Sequence, residues 1–170
     1  MLRHTRRALA TKVIIPRHRD AIHLQKNNTL ADASCVASRG GTVVHASVSW
    51  RWASGEDALY FTGGGAPLHV DFRHPSSAAG LPPTTASGRE NVRASDQEVL
   101  AARNIDRALR PRFHGDGFLE TVRVDVEVAS SDGDGDVVSL GANAASCALA
   151  LAGVPWKGPV GTTRLSRRGS

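Results

Sequence analysis

Between Thr42 and Trp50 the chain alternates strictly. Thr42, Val44, Ala46, Val48 and Trp50 fall on one side, and Val43, His45, Ser47 and Ser49 on the other. A period of two is that of a strand with one face buried. The segment SCVAS (34–38), separated from it by Gly40-Gly41, is its expected hairpin partner. A second alternation is cleaner still: Val122, Val124, Val126 and Val128 are interleaved with Arg123, Asp125 and Glu127. That pattern predicts one buried and one polar face. Two short apolar runs, DALYF (57–61) and PLHVDF (67–72), read as further strands on either side of a loop, TGGGAP.

From Ser76 to Ala94 the chain is rich in Ser, Ala, Gly, Pro and Thr without an apolar period, which reads as a long loop. At Ser95 the period changes. SDQE is a capping box, in which Ser95 accepts from the amide of Glu98 and Glu98 reaches back to the amide of Ser95. The helix that follows is expected to turn Val99, Ala102, Ile105 and Leu109 to the core, and Pro111 ends it. After the turn SSDGDGD comes VVSLGANAASCALALAG (137–153), a helix of small residues suited to close packing, with Gly153 at its C-terminal cap. Asp136 is expected to cap its start, with Asp132 and Asp134 in a solvated turn. Strands followed by helix, strand and helix predict an α+β domain with helices packed on a mixed sheet.

No apolar run approaches the roughly 18 residues a membrane span needs, so no membrane association is expected. The net charge of +5 is unevenly placed. Residues 1–19 hold six basic residues and no acid, and residues 164–170 hold three more, again with no acid. Without those nine, the remaining 12 of the 21 basic residues face all 16 acids, leaving the middle at −4. The pI of about 10.0 therefore belongs to the ends, and only a local patch can argue for a polyanionic partner. The N-terminal stretch, taken as 1–28, has the composition of an organelle import peptide or a basic arm, and 165–170 is a basic tail. Cys35 and Cys147 lack metal-ligand spacing and sit in apolar stretches, as reduced core thiols do.

Most candidate chemistry fails on spacing. TGGGAP is followed by neither Lys-Ser/Thr nor a helix, so it is no phosphate loop. DGDGD opens like a calcium loop, but the twelfth position from Asp132 is Asn143 where a bidentate Glu is required. The seven histidines are scattered without helical pairing. No catalytic residue, metal or cofactor is expected. What remains is a stripe of arginines, Arg103, Arg107 and Arg110, spaced by four and three along one helix face. Asp106 and Glu98 allow some internal pairing, worth only about 0.2–1 kcal/mol in solvent. The stripe reads as a solvated face or as a phosphate-holding surface, for which guanidinium geometry is suited. The residues alone leave both standing.

In order, SDQEVLAARNIDRALRPRF, the valine strand, the acidic turn and DVVSLGANAASCALALAGVPWKGPVG resemble the polynucleotide phosphorylase (polyribonucleotide nucleotidyltransferase) family, in the first of its RNase PH-like core domains. ADASCVASRGGTVVHASVS and VDFRHPSSAAGLPP resemble that domain's opening hairpin and the segment leading to its RNA-facing loop. The resemblance runs from about Thr29 to Arg164 and is most specific from Ser95 onward. It implies a ribosomal protein S5 domain 2-like fold and a ring-shaped trimer that degrades RNA from the 3′ end with phosphate as nucleophile. Arg107 and Arg110 match arginines of the family's RNA path. Arg103, and Arg89 and Arg93 before the helix, join them as RNA-binding candidates.

The departures shape the expectation as much as the matches. Where the family carries two bulky residues and two basic ones, TASGRE offers Ala86, Ser87 and only Arg89. Base stacking, about 1–3 kcal/mol per base, goes with the missing rings. The sequence stops just past GPVG, before the family's second core domain, with its phosphate site and catalytic acids, and its KH and S1 modules. The expectation is an incomplete RNase PH-like domain over 29–164 that binds RNA or a partner without an active site of its own. It is expected to be oligomeric or part of a ribonucleoprotein complex, and mitochondrial, with the chloroplast stroma as the alternative. A non-catalytic subunit of a mitochondrial ribonucleoprotein, such as a divergent ribosome, and a piece of a longer product are the other readings.

Overall fold

A computed structural model describes residues 23–27, 30–52, 68–82, 94–113 and 120–165. Within them lie five strands, β1 (His23–Asn27), β2 (Ala33–Arg39), β3 (Thr42–Trp52), β4 (Leu68–Arg73) and β5 (Glu120–Ser130). Two helices follow the expected pattern, α1 (Asp96–Leu109) and α2 (Val137–Ala152), with 3₁₀ turns at Ser76–Ala79 and Arg110–Arg112. The sheet order is β1-β2-β3-β5-β4. Its first four strands are antiparallel neighbours, and β4 joins β5 in parallel. The mixed sheet with helices on it is the α+β architecture the alternations predict.

The expected hairpin is β2–β3, in register from Arg39↔Thr42 to Ala33↔Val48, with Gly40 at φ 59° in the turn. The valines of β5 and the even-numbered residues Val44, Ala46 and Val48 of β3 are buried on one face. His23–Asn27, within the N-terminal stretch taken as 1–28, form β1, paired with β2 from His23↔Ser38 to Asn27↔Ser34. DALYF, TGGGAP and residues 83–93 lie outside the described residues.

Both helices cover the buried face, in different ways. α2 packs on β2, β3 and β5, and α1 on β4 and α2. A Cβ on Gly141 would sit 2.9 Å from Val126 Cγ1, so only glycine lets α2 come so near the sheet. Gly153 ends α2 at φ 70°. In α1 the buried row is Ala101, Ile105 and Leu109. Val99, expected inside, is 37% exposed. It lies about 120° around the helix from Ile105, whereas Ala101 shares the i, i+4 row that meets the sheet.

Polar side chains lock the edges. The Ser95–Glu98 capping box forms with Glu98 Oε2 accepting from the Ser95 amide at 2.7 Å, while Oε1 accepts from the His74 amide at 2.7 Å. The helix start is thereby stapled to the end of β4. Partial burial works to raise the Glu98 pKa, but the His74 and Ser95 donors and nearby Arg73 outweigh it and hold the carboxyl below its ordinary range.

Asp132, expected in a solvated turn, is exposed but engaged. It accepts from Thr42 Oγ1 at 2.6 Å, the Gly41 amide at 2.8 Å and the Asp134 and Gly135 amides at 3.1 and 3.2 Å. These donors, Thr42 first, hold its pKa down to about 2. Asp136 occupies the N-cap position of α2, yet its carboxylate accepts from the Ser139 hydroxyl at 2.5 Å and caps no amide. Beyond α2, residues 160–162 run back along the helix. Ser146 Oγ accepts from the Val160 amide at 2.8 Å, and Asn143 bonds Thr162 in both directions at 2.8 and 3.0 Å. The Asn143 and Ser146 side chains therefore hold an internal strap, which Thr162 Oγ1 also ties to the Ser139 carbonyl at 3.0 Å.

Candidate nucleic-acid interface

The outer stripe of α1 divides when its side chains are followed. Arg110 turns back: Nε and Nη2 grip the two carboxylate oxygens of Asp106 at 2.8 and 2.6 Å. Nη2 also donates to the Leu68 carbonyl at 2.8 Å, at the start of β4. A forked pair with a third bond to another element braces the helix against the sheet edge. Arg103 and Arg107 are exposed, one helical turn apart, on the side opposite Ile105. Among the described residues no acid lies within ion-pair distance of either. The two acids that could have neutralised them are taken, Asp106 by Arg110 and Glu98 by the amides of Ser95 and His74.

Two further cations join this end. Lys157 donates its backbone amide to the Arg112 carbonyl at 2.7 Å, and the Phe113 and Trp156 rings pack with centroids 5.8 Å apart. VPWKG is thereby docked beside the turn that ends α1, bringing exposed Arg112 and Lys157 together. The sequence carried a signal for them, RPRF and PWKG, but not their adjacency. Arg89 and Arg93 lie outside the described residues.

The opposite face of the sheet is charged differently. Arg123 pairs with Asp125 at 2.9 Å and approaches Asp71 at 4.0 Å, and Asp71 also faces Arg73 at 3.7 Å. Its charges largely cancel within the sheet. A groove of about 450 Å³ separates α1 from α2 and is lined by Asn104, Ile105, Asp136, Ser139, Thr162 and Arg164. A second, of about 280 Å³, lies between β4 and α1 with Arg103 on its wall. Among the described residues, no group of three or more His, Cys, Asp and Glu comes together, and no helix is long and apolar enough to cross a membrane.

Residues 21–155 match domain 1 of the 3′ exoribonuclease family, the RNase PH domain. The chain belongs to that family. It is 45% identical over 101 residues to mitochondrial polyribonucleotide nucleotidyltransferase 2 of Arabidopsis thaliana, covering 59% of this chain and 10% of that protein. It is 41% identical over 135 residues to polyribonucleotide nucleotidyltransferase of Rhodopseudomonas palustris, covering 79% and 18%. The chain thus spans between a tenth and a fifth of the length of these relatives.

Solved structures of rice Rrp46 and of the Archaeoglobus fulgidus exosome, the latter with RNA bound to the active site, share the fold. Their TM-scores are 0.57 and 0.55, at 17% and 20% identity, covering 79% and 75% of this chain and 55% and 50% of those. The α+β RNase PH-like fold and the likeness to polynucleotide phosphorylase expected from the sequence are both found.

Proposed function

We propose that this chain is an RNA-contacting RNase PH-type domain serving phosphorolytic 3′-to-5′ RNA turnover. In this reading it holds the RNA backbone without an active site of its own. The observation that carries it is the pair Arg103 and Arg107, exposed on one face of α1 and without an acid partner among the described residues. Two guanidinium groups held one turn apart suit successive phosphates. Arg112 and Lys157 extend the same basic end, and Arg89 and Arg93 precede the helix that carries it. Arg110 acts behind them, fixing α1 to β4. A mitochondrial location fits the acid-free N-terminal stretch and the mitochondrial names of the plant relatives.

The test is an assay of the full chain with single-stranded RNA and inorganic phosphate. RNA retained in a gel shift with no nucleoside diphosphate released is the expected result. Release of nucleoside diphosphates overturns the absence of an active site, and no retention overturns the RNA contact.

One observation favours a second reading. Leu100, 58% exposed, lies on the same outer face as Arg103 and Arg107, and an apolar residue amid cations suits a protein interface. In that reading the chain is a non-catalytic subunit of a mitochondrial ribonucleoprotein. Loss of assembly in Leu100→Glu, with RNA binding intact, would select it.

A further inference from the structure

The groove between α1 and α2 has a volume of about 450 Å³, within the roughly 300–1,000 Å³ of sites that take small molecules. Its floor is apolar, made by Ile105 and Ala108 of α1 and by Val138 and Ala142 of α2. Its rim is polar, with Asn104 from α1, Asp136 from the start of α2, and Thr163 and Arg164 from the chain just past the strap. A flat group with polar edges suits such a slot. The groove also borders the basic stripe. Asn104 lies about 60° around α1 from Arg107 and about 100° from Arg103, so a strand of RNA held by those arginines passes its mouth.

Asp136 is the rim group with the most left to give. It stands at the N-cap position of α2 and caps no amide. One carboxylate oxygen, Oδ2, accepts from the Ser139 hydroxyl. Among the described residues the other, Oδ1, faces only Arg164 Nη1, at 3.8 Å and beyond hydrogen-bond distance. The Asp136 side chain is 21% exposed and that of Arg164 75%. A carboxylate mostly withdrawn from water thus keeps unmet acceptor capacity. Its exposed arginine is loosely held and able to turn to a phosphate.

That acceptor pattern discriminates among bases. Along its Watson–Crick edge guanine presents two adjacent donors, N1–H and the 2-amino group. Adenine and cytosine present a donor beside an acceptor, and uracil a single donor between two carbonyl oxygens. A carboxylate only accepts, so both its oxygens are satisfied by guanine and one of them meets an acceptor in each of the others.

We propose that this groove is a base pocket that selects guanine in single-stranded RNA. Asp136 accepts N1–H on one oxygen and the 2-amino group on the other. The ring lies against Ile105, Ala108, Val138 and Ala142, and Arg164 meets an adjoining phosphate. The pocket rests on the RNA contact of α1, and adds base preference to a surface that otherwise grips phosphates without regard to sequence.

The experiment measures fluorescence anisotropy of labelled oligoadenylate hexamers, titrated with the full chain, in which one central residue is adenosine, guanosine, inosine, cytidine or uridine. The guanosine hexamer should bind at least about fivefold more tightly than the adenosine one. Inosine, which lacks the 2-amino group, should lose most of that advantage. Asp136→Asn, whose amide offers one acceptor and one donor, should abolish the guanosine preference. Arg103→Gln/Arg107→Gln should weaken every hexamer and keep the guanosine ratio. Equal affinities across the series would overturn the pocket and leave the RNA contact standing. Inosine equal to guanosine, or a preference that persists in Asp136→Asn, would overturn the two-donor recognition by Asp136. If no hexamer binds, the RNA contact falls and the pocket with it. Because Asp136 caps no amide, Asp136→Asn should fold as the parent does by circular dichroism. Should it misfold, the series of bases on the parent chain decides alone.

Discussion

α1 and α2 lie on the same face of one sheet, yet they use their polar residues in opposite ways. α2 is built of small residues that let it sit against β2, β3 and β5, and its polar side chains are consumed within the fold, Asn143 and Ser146 by the returning segment 160–162 and Ser139 by Asp136. α1 buries a narrow row, Ala101, Ile105 and Leu109, and leaves a broad outer face. On that face Arg110 is drawn into the fold, and Arg103 and Arg107 stay outward. The difference teaches where to look for function: polar groups that complete the fold are paired, and those that meet another molecule are left over.

The largest effect should come from breaching the α2 contact. Gly141→Val places a branched side chain where even a Cβ meets Val126 Cγ1 at 2.9 Å. Overpacking here is expected to cost about 3 kcal/mol and lower the thermal midpoint by many degrees, read by circular dichroism. A Gly141→Val chain as stable as the parent would contradict the close packing of α2.

Smaller effects probe α1. Ser95→Ala removes the side chain that accepts from the Glu98 amide, and should cost about 1 kcal/mol in urea denaturation. Arg110→Gln breaks the forked pair with Asp106 and the bond to the Leu68 carbonyl. Since Arg110 is partly exposed, the expected loss is about 1 kcal/mol. Arg103→Gln and Arg107→Gln should each stay within about 0.5 kcal/mol of the parent. Equal losses at positions 107 and 110 would erase the division of the stripe.

The smallest effect is one of pH. Asp132 has a folded pKa of about 2, against roughly 3.9 when unfolded. The folded pKa is the lower, so the unfolded chain binds more protons between these values and stability falls as pH drops through them. The contribution is complete above about pH 4–5 and lost toward pH 2. The stability gap between the parent and Asp132→Asn should therefore close as pH falls from about 4 to 2. A gap that stays constant over that range would show that the Asp132 carboxylate is not held by Thr42 and Gly41.

Much of this fold is legible in the sequence because its strands alternate. The valines of β5 and the Thr42–Trp50 run of β3 declare both the strand and its buried face, and SDQE declares the start of α1. Polar β1 does not declare itself, because its place comes from backbone pairing with β2. Val99 misleads because several near-helical spacings fit the apolar residues of α1, and only the sheet selects the row of Ala101, Ile105 and Leu109. The His74 bond of Glu98, the Thr42 and Gly41 donors to Asp132 and the turn inward of Arg110 all depend on segments distant in sequence. The arginine stripe is legible as a stripe. Which of its members faces outward is a property of where β4 places the Leu68 carbonyl.

The central claim is that Arg103 and Arg107, and not Arg110, meet RNA phosphates. Fluorescence anisotropy of a labelled single-stranded RNA, titrated with the full chain at several salt concentrations, tests it most directly. The double variant Arg103→Gln/Arg107→Gln should bind at least about tenfold more weakly, and its salt slope should shrink by about 1.4, two phosphates at roughly 0.7 each. Arg110→Gln should keep the parent slope. A double variant with the parent's affinity and slope, or an equal loss of slope in Arg110→Gln, would contradict the account.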